Sequence, residues 1–276
     1  MEDWLVKRMN RKKQLILHGI TLFVTMIILL VVTGLFILKS TVLSKNYVIN
    51  LIKNNEYYQV IYDNIKDEML YYIPQSGFSN DIIDDTFTLD EVTKDVNNVI
   101  KNVYSGKKSQ IDSSIFEERL NTKIDNYVVD NNFVITNKDE LFKFTDEMAK
   151  IYVNKITISG YANKIASYVI KIIKIINVIF IISILLLIAI LLFNLKFFKF
   201  RQMGSVLFNN TLLLIILNIW IKNVIPINNI FIYNDIISMI IKDIVLGILS
   251  YMIILGIIYL ILGIILVLIT NREKKK

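Results

Sequence analysis

The sequence predicts an all-α integral membrane protein with four transmembrane helices and an extracytoplasmic helical-bundle domain inserted between the first and second spans. The chain has 276 residues, of which 54% are hydrophobic and only 2 are prolines, and its mean hydropathy is +0.53. The apolar residues are concentrated in long runs, as in proteins whose helices cross a bilayer. One long polar stretch, residues 39–171, interrupts these runs and shows the residue spacing of helices.

The first apolar run, residues 15–38, is long enough to cross the roughly 30 Å hydrocarbon core of a bilayer. A basic N-terminus, residues 1–14, precedes it. The run is longer than the apolar region of a signal peptide, and no small-residue cleavage site follows it, so we expect a membrane anchor. Three further spans are predicted at residues 172–194, 205–225 and 244–270.

Charge is distributed unevenly along the chain. Residues 39–171 hold 16 basic and 19 acidic residues, whereas the remainder holds 15 basic and only 5 acidic ones. The basic clusters precede the first span, occupy the turn 195–204, and form the tail 271–276. Because basic residues in short loops mark the cytoplasmic side, we expect a multi-pass cell-membrane protein with both termini in the cytoplasm. The polar domain and the loop 226–243 are then extracytoplasmic.

Three helix-start signals fall within the polar stretch. Thr88–Glu91 and Ser114–Glu117 are capping-box patterns, and Asn137–Glu140 repeats the start signal. Each precedes a stripe of apolar residues at helical spacing, which predicts a helical bundle.

The two ends of the polar stretch are predicted to continue the neighbouring membrane helices. The apolar stripe that begins near Tyr47 indicates that the first membrane helix runs straight out of the bilayer until residues 74–77, where Pro and Gly favour a stop. At the other end, the last helix of the domain is predicted to run past Gly160 into the second span.

Three residues of the last two spans are candidate helix-docking positions. Asn218 lies near the middle of the third span, and asparagine in hydrocarbon seeks hydrogen-bond partners across helices. Gly256 and Gly263 lie a heptad apart in the fourth span, where small residues allow close helix approach. The neighbouring helix could belong to the same chain, to a second copy or to a membrane-protein partner. A substrate pathway lined by Asn218 is the alternative reading.

No residue pattern indicates catalysis, a cofactor or a metal. The chain has no cysteine, which removes disulfides and thiolate chemistry. It also lacks the P-loop, the nucleophile elbow, the zincin motif and the dinucleotide-binding fingerprint. The best metal candidate is a group of acidic residues that lacks the ligand spacing of a calcium-binding loop, so a solvated acidic loop is favoured. This group comprises Asp81, Asp84, Asp85, Asp90 and Glu91.

The predicted cytoplasmic pieces are shorter than the roughly 50 residues of the smallest domains. We therefore expect a non-enzymatic protein whose outer domain binds a ligand, partner or envelope component, as the accessory or sensory subunit of a membrane complex. Its expected partners are the lipid bilayer and a membrane protein or a second copy. Nucleic acid is not expected, because the basic excess lies outside the folded domain.

Two other functions remain open at this point. A small oligomeric transporter or channel would place the asparagines of the third span along its path. A membrane-bound enzyme acting on lipid or cell-wall material would use carboxylates within the helical domain. The heavy use of Ile, Lys and Asn is typical of AT-rich coding and favours a bacterial source.

Overall fold

The computed structural model describes residues 2–132, 135, 137–194, 200–227, 230 and 235–273. Within these residues the chain is helical and contains no strand. Two compact units are present. The membrane unit comprises Met1–Ser44, Lys174–Tyr233 and Ile241–Lys276, and the polar unit comprises Lys45–Ile173 and Asn234–Ile240.

The helices follow one another with short connections. In chain order they are α1 (Glu2–Ser40), α2 (Lys45–Asn54), α3 (Tyr57–Ser76), α4 (Leu89–Ser105), α5 (Ser114–Asp130), α6 (Lys138–Thr157), α7 (Tyr161–Asn194), α8 (Phe200–Val224) and α9 (Asp235–Glu273). A short 3-10 helix, Asn80–Ile83, lies between α3 and α4.

Four helical stretches are long and apolar enough to cross a membrane. They are Gly19–Ser40, a stretch within Lys138–Leu192, Gln202–Val224 and Asp235–Thr270. This result confirms the prediction of an all-α protein with four membrane-spanning helices. Helices α8 and α9 begin at Phe200 and Asp235, which precede the predicted spans 205–225 and 244–270. A membrane helix can extend beyond the hydrocarbon core of the bilayer.

Three predicted connecting or terminal segments lie partly outside the described residues. The predicted turn 195–204 includes residues 195–199, the predicted loop 226–243 includes residues 228–229 and 231–234, and the tail includes residues 274–276. None of these residues is among those that the structure describes.

The membrane unit has a small apolar core. Ile37 of α1, Leu214 of α8, and Leu249 and Met252 of α9 are buried together. A hydrogen bond of 2.6 Å between the hydroxyls of Thr33 and Tyr259 adds a polar contact between α1 and α9. The Lys39 ammonium lies 4.3 Å from the ring centre of Phe180, which joins α1 to α7.

Helix α3 is central to the polar unit, because it contacts α2, α4 and α6. Ile65 and Met69, which belong to the apolar stripe predicted from the sequence, are completely buried. The stripe continues through the completely buried Ile73 and not through Tyr72, the residue predicted at its end, which is 40% exposed. Val92 of α4 and Met148 of α6 are also completely buried. The helical bundle therefore forms around the stripe of α3.

Two of the three predicted helix-start signals are confirmed. Thr88 and Glu91 form a reciprocal capping box at the start of α4, and the Asn137 side chain accepts hydrogen bonds from the first turn of α6. The capping box predicted at Ser114 is wrong by one residue, since Ser114 is already helical and Ser113 is the N-cap. The Ser114 N–H donates to the Asp112 carboxylate at 3.0 Å, which stabilises the entry to α5 instead.

Both predicted helix continuations are wrong. The chain turns after α1, where the Ser44 N–H donates to the Thr41 carbonyl at 2.9 Å, and it breaks again at Glu56, whose φ is +57°. Helix α3 then ends inside the predicted stop, with Pro74 in its last turn and Gly77 as its C-cap. Helix α6 ends at Thr157 and is followed by three residues with positive φ, Ile158, Ser159 and Gly160. It is α7, beginning at Tyr161, that continues into the apolar stretch.

Candidate functional site

The predicted docking residues Asn218 and Gly256 lie between α8 and α9. The Asn218 side chain is 4% exposed, and its amide donates to the carbonyl of Leu249 at 2.7 Å. About two helical turns before Asn218 on α8, the Thr211 hydroxyl donates to the carbonyl of Gly256 at 3.0 Å. Both contacts are made within the chain.

Gly263 lies where the backbones of α8 and α9 come closest. A Cβ atom on Gly263 would lie 3.1 Å from the carbonyl oxygen of Gly204, and one on Gly204 would lie 3.0 Å from that of Gly263. Neither contact leaves room for a larger side chain. Docking of a partner against these residues stays a prediction. Gly204 was not predicted as a docking residue, because it falls within the predicted turn 195–204.

Asn210 is one of the asparagines of the third span that a transporter or channel would place along its path, and it was not predicted as a docking position. Its side chain is completely buried, and its amide donates to the Val206 carbonyl at 3.1 Å. Its Oδ1 atom has no hydrogen-bond partner among the described residues. A buried acceptor without a donor costs about 1–3 kcal/mol, so Asn210 is the least satisfied polar group of the membrane unit that the structure identifies.

The polar unit contains an open groove with a volume of about 410 Å³. This volume is in the range of about 300–1,000 Å³ that is usual for small-molecule sites. The groove lies between the end of α3 and the first half of α6, and the sequence analysis did not anticipate it. Its lining residues are Tyr72, Gln75, Ser76, Phe78, Ile135, Asn137, Glu140, Leu141, Lys143, Phe144, Glu147 and Met148.

Local structure explains why these two segments form a groove. Gly77 ends α3 with a φ of +76°, so the chain turns and Phe78 lies against the bundle. The Phe78 ring centre is 5.6 Å from that of Tyr127 and 5.5 Å from that of Phe144. Such aromatic contacts fix the apolar wall. The buried side chain of Met148 lies at its base.

Charges of both signs line the groove. The Glu147 carboxylate pairs with the Lys150 ammonium at 3.0 Å, and Lys150 also pairs with Asp146 at 2.7 Å. Glu140 and Lys143, which also line the groove, take part in no ion pair among the residues that the structure describes. One carboxylate and one ammonium therefore remain available to a ligand.

Exposed tyrosines lie on the α3 side of the groove. Tyr72, which lines the groove, is 40% exposed, and its neighbour Tyr71 is 72% exposed. We call these two residues the aromatic rim. Phe142 is also 72% exposed, but it does not line the groove. The rings of Tyr71 and Tyr72 make an edge-to-face contact at 5.6 Å. Clustered exposed apolar side chains commonly mark interaction sites, so the groove and its aromatic rim form the best candidate site in the described part of the polar unit.

The acidic group considered as a metal site is arranged around basic side chains. Asp84 pairs with Lys66 at 2.9 Å, and Asp85 approaches Lys123 at 3.9 Å. The hydrogen bond to Asp84 raises the pKa of Lys66. Glu91 pairs with Arg119 at 2.9 Å. Among the described residues, no group of His, Cys, Asp or Glu side chains is placed to hold a metal ion.

Asp95 and Tyr152 form a half-buried polar pair away from the groove. The Tyr152 hydroxyl donates to the Asp95 carboxylate at 2.9 Å. Burial raises the pKa of Asp95, against the lowering effect of this hydrogen bond. Burial and the neighbouring Asp95 charge also raise the pKa of Tyr152. The pair fastens α6 to α4.

The connection between α4 and α5 is fixed to the first turns of α7. The Asn163 side chain accepts from the Ser109 N–H at 2.6 Å and donates to the Ser109 carbonyl at 3.1 Å. Gly106, the C-cap of α4, lies against Ile170, whose Cγ2 atom would be 2.7 Å from a Cβ at position 106. We call this set of contacts the α7 clamp. All four residues belong to the polar unit, and helix α7 continues beyond them to Asn194.

Comparison of the chain with protein-family models, curated proteins and solved structures finds no match.

Proposed function

We propose that this is a non-enzymatic, multi-pass cell-membrane protein whose helical polar unit lies outside the cytoplasm and recognises a ligand or partner. It would act as the accessory or sensory subunit of a membrane complex. The observation that carries the proposal is the groove of about 410 Å³ with its exposed aromatic rim. Tyr and Phe are enriched at recognition surfaces because their rings supply large contact areas.

The proposed orientation is supported by the charge distribution. The basic clusters before the first span, between the second and third, and after the fourth lie on one side in a four-span protein. That side is expected to be cytoplasmic. The long polar stretch between the first two spans then lies on the opposite side.

The α7 clamp supports a sensory role. Asn163 of α7 bonds to both backbone groups of Ser109, which follows α4 in the chain. Helix α7 continues without interruption to Asn194. Under our proposal, a change in the packing of α4 would alter the first turns of α7, and α7 would carry that change into its apolar stretch.

Co-purification from the native membrane tests the proposal. We expect a partner to be retained by the wild-type protein and lost from the Tyr71→Ser variant, since this ring belongs to the aromatic rim and, being 72% exposed, contributes little to folding. Ile115→Ser is the matched control, because Ile115 is exposed at 55% but lies at the start of α5, outside the groove lining. Full retention of the partner by the Tyr71→Ser variant, or by a chain without the polar unit, would contradict the proposal.

A transporter or channel built by oligomerisation is the second candidate. The observation in its favour is the unpartnered Oδ1 atom of the buried Asn210, since polar groups inside membrane helices often mark pathways. Under our proposal, Asn210→Leu and Asn218→Leu do not alter solute flux in proteoliposomes. If either variant abolishes a flux that the wild type carries, while assembly is intact, the transport function is the correct one.

A further inference from the structure

We propose that the groove between α3 and α6 binds a short zwitterionic peptide that carries a large apolar side chain. The inference rests on the proposed function and names the ligand class of the same site. In this arrangement the free ammonium group of the peptide lies against the Glu140 carboxylate, its terminal carboxylate lies against the Lys143 ammonium, and its apolar side chain enters the groove.

The charges of the groove point to a ligand of both signs. Glu140 and Lys143 are three residues apart on α6, so their Cβ atoms are about 5–6 Å apart on one face. Both line the groove, and neither forms an ion pair among the described residues. A ligand with one positive and one negative group satisfies both of them. The two termini of an extended dipeptide, about 7 Å apart, match this spacing.

The walls of the groove supply the apolar part of the site. Phe78 and Phe144 contact each other at 5.5 Å between ring centres, and the completely buried Met148 lies beneath them. Tyr72 of α3 also lines the groove, and its side chain is partly exposed. An aromatic or branched aliphatic side chain placed in the groove would bury apolar surface, which is the main source of affinity for a small ligand.

Ligands that carry a charge of only one sign, or no charge, fit the groove less well. An isolated anion would meet Glu140, and the N–H groups that a helix N-terminus normally offers to anions are already taken by Asn137, which accepts from Asp139 and Glu140. An isolated cation would meet Lys143. A neutral apolar ligand would gain no attraction from either charge.

Titration of leucylphenylalanine into the full-length protein in nanodiscs tests the inference by calorimetry. We expect saturable binding with a Kd below about 1 mM. The N-acetylated peptide, which lacks the ammonium group, and the peptide amide, which lacks the terminal carboxylate, should each bind about two- to five-fold more weakly, as for an exposed ion pair.

Two protein variants, each combined with one of the modified peptides, form double-mutant cycles that isolate the two charge contacts. Glu140→Gln should weaken binding of the free peptide by about two- to five-fold but should not weaken binding of the N-acetylated peptide further. Lys143→Gln should show the same relation to the peptide amide. The control variants Lys94→Gln and Glu118→Gln, which change exposed charges of α4 and α5 outside the groove lining, should bind like the wild type.

The outcomes separate this inference from the proposed function. Absence of saturation at millimolar peptide, or binding that is unaffected by both end modifications and both groove variants, overturns the ligand class. If partner co-purification still depends on Tyr71 in that case, the proposed function stands. Loss of that dependence, with peptide binding intact, overturns the partner role and leaves the groove as a peptide site.

Discussion

At the scale of single residues, two polar side chains of α8 form hydrogen bonds to α9 within the chain. Asn218 donates to the Leu249 carbonyl, and Thr211 donates to that of Gly256. Hydrogen bonds of this kind are worth about 0.6 kcal/mol on average in membrane proteins, so close packing at Gly204 and Gly263 must contribute alongside them. The sequence could indicate that Asn218 and the glycines favour helix contact. It could not indicate which helix is contacted, because that depends on the fold.

Substitution of Gly263 tests this close packing. Gly263→Leu places a side chain where the Gly204 carbonyl lies 3.1 Å from the Cβ position, and overpacking of this kind costs about 1–3 kcal/mol. We expect a lower melting temperature of the detergent-solubilised protein. Gly34→Leu is the matched control, since nothing lies within 4 Å of a Cβ there. Equal melting temperatures for the two variants would contradict the packing of α8 on α9.

The Asp95 carboxyl predicts a pH effect. Burial raises its pKa in the folded protein, so its contribution to stability is present in acid and is lost as the pH rises through that raised value. Asp95→Asn should therefore melt at a higher temperature than the wild type at neutral pH, and this difference should shrink toward about pH 4. Asp125→Asn, at an exposed position of α5, is the control. A difference that is constant with pH would refute the effect.

At the scale of elements, capping residues were readable from the sequence where they act locally. Thr88 and Asn137 cap α4 and α6 as predicted, because the bonds of a cap join residues two or three apart. The start of α5 differs because Asp112, before the predicted box, accepts the Ser114 N–H. The groove was not predictable, since it brings the end of α3 beside a helix that begins about sixty residues later in the chain.

The contact of Gly106 with Ile170 in the α7 clamp predicts a difference in stability between two glycine variants. Gly106 and Gly77 both end helices, with φ of +70° and +76°, so an alanine at either position carries the penalty of a left-handed conformation, about 1–3 kcal/mol. Only at Gly106 does the new methyl group also meet Ile170, at 2.7 Å, and the β-branched side chain of Ile170 has little freedom to move. Gly106→Ala should therefore be the more destabilising variant, by about 1–3 kcal/mol.

Thermal unfolding of the two variants, followed by circular dichroism in the same detergent, measures this difference. Ile170→Ala in the Gly106→Ala background should recover part of the lost stability, because it removes the atom that the methyl group meets. Equal destabilisation by Gly106→Ala and Gly77→Ala would show that the connection after α4 is not held against α7.

At the scale of the whole molecule, the chain divides its tasks between a membrane unit and a polar unit. The membrane unit supplies four helices able to cross a bilayer. The polar unit supplies the groove, the aromatic rim and the α7 clamp. The sequence predicted four spans and a helical bundle because hydropathy and periodicity are local properties. The breaks after α1 and α6 escaped it, because the apolar stripes continue across turns such as Ile158–Gly160.

The central claim is that the polar unit lies outside the cytoplasm, and single-cysteine labelling of intact cells tests it most directly. The chain has no cysteine of its own, so each introduced thiol is the only reactive one. Asn98→Cys, at an exposed position of α4, should react with a membrane-impermeant maleimide. Lys196→Cys, in the predicted cytoplasmic turn, should react only after the cells are permeabilised. Labelling of Lys196→Cys on intact cells, with Asn98→Cys silent until permeabilisation, would contradict the account.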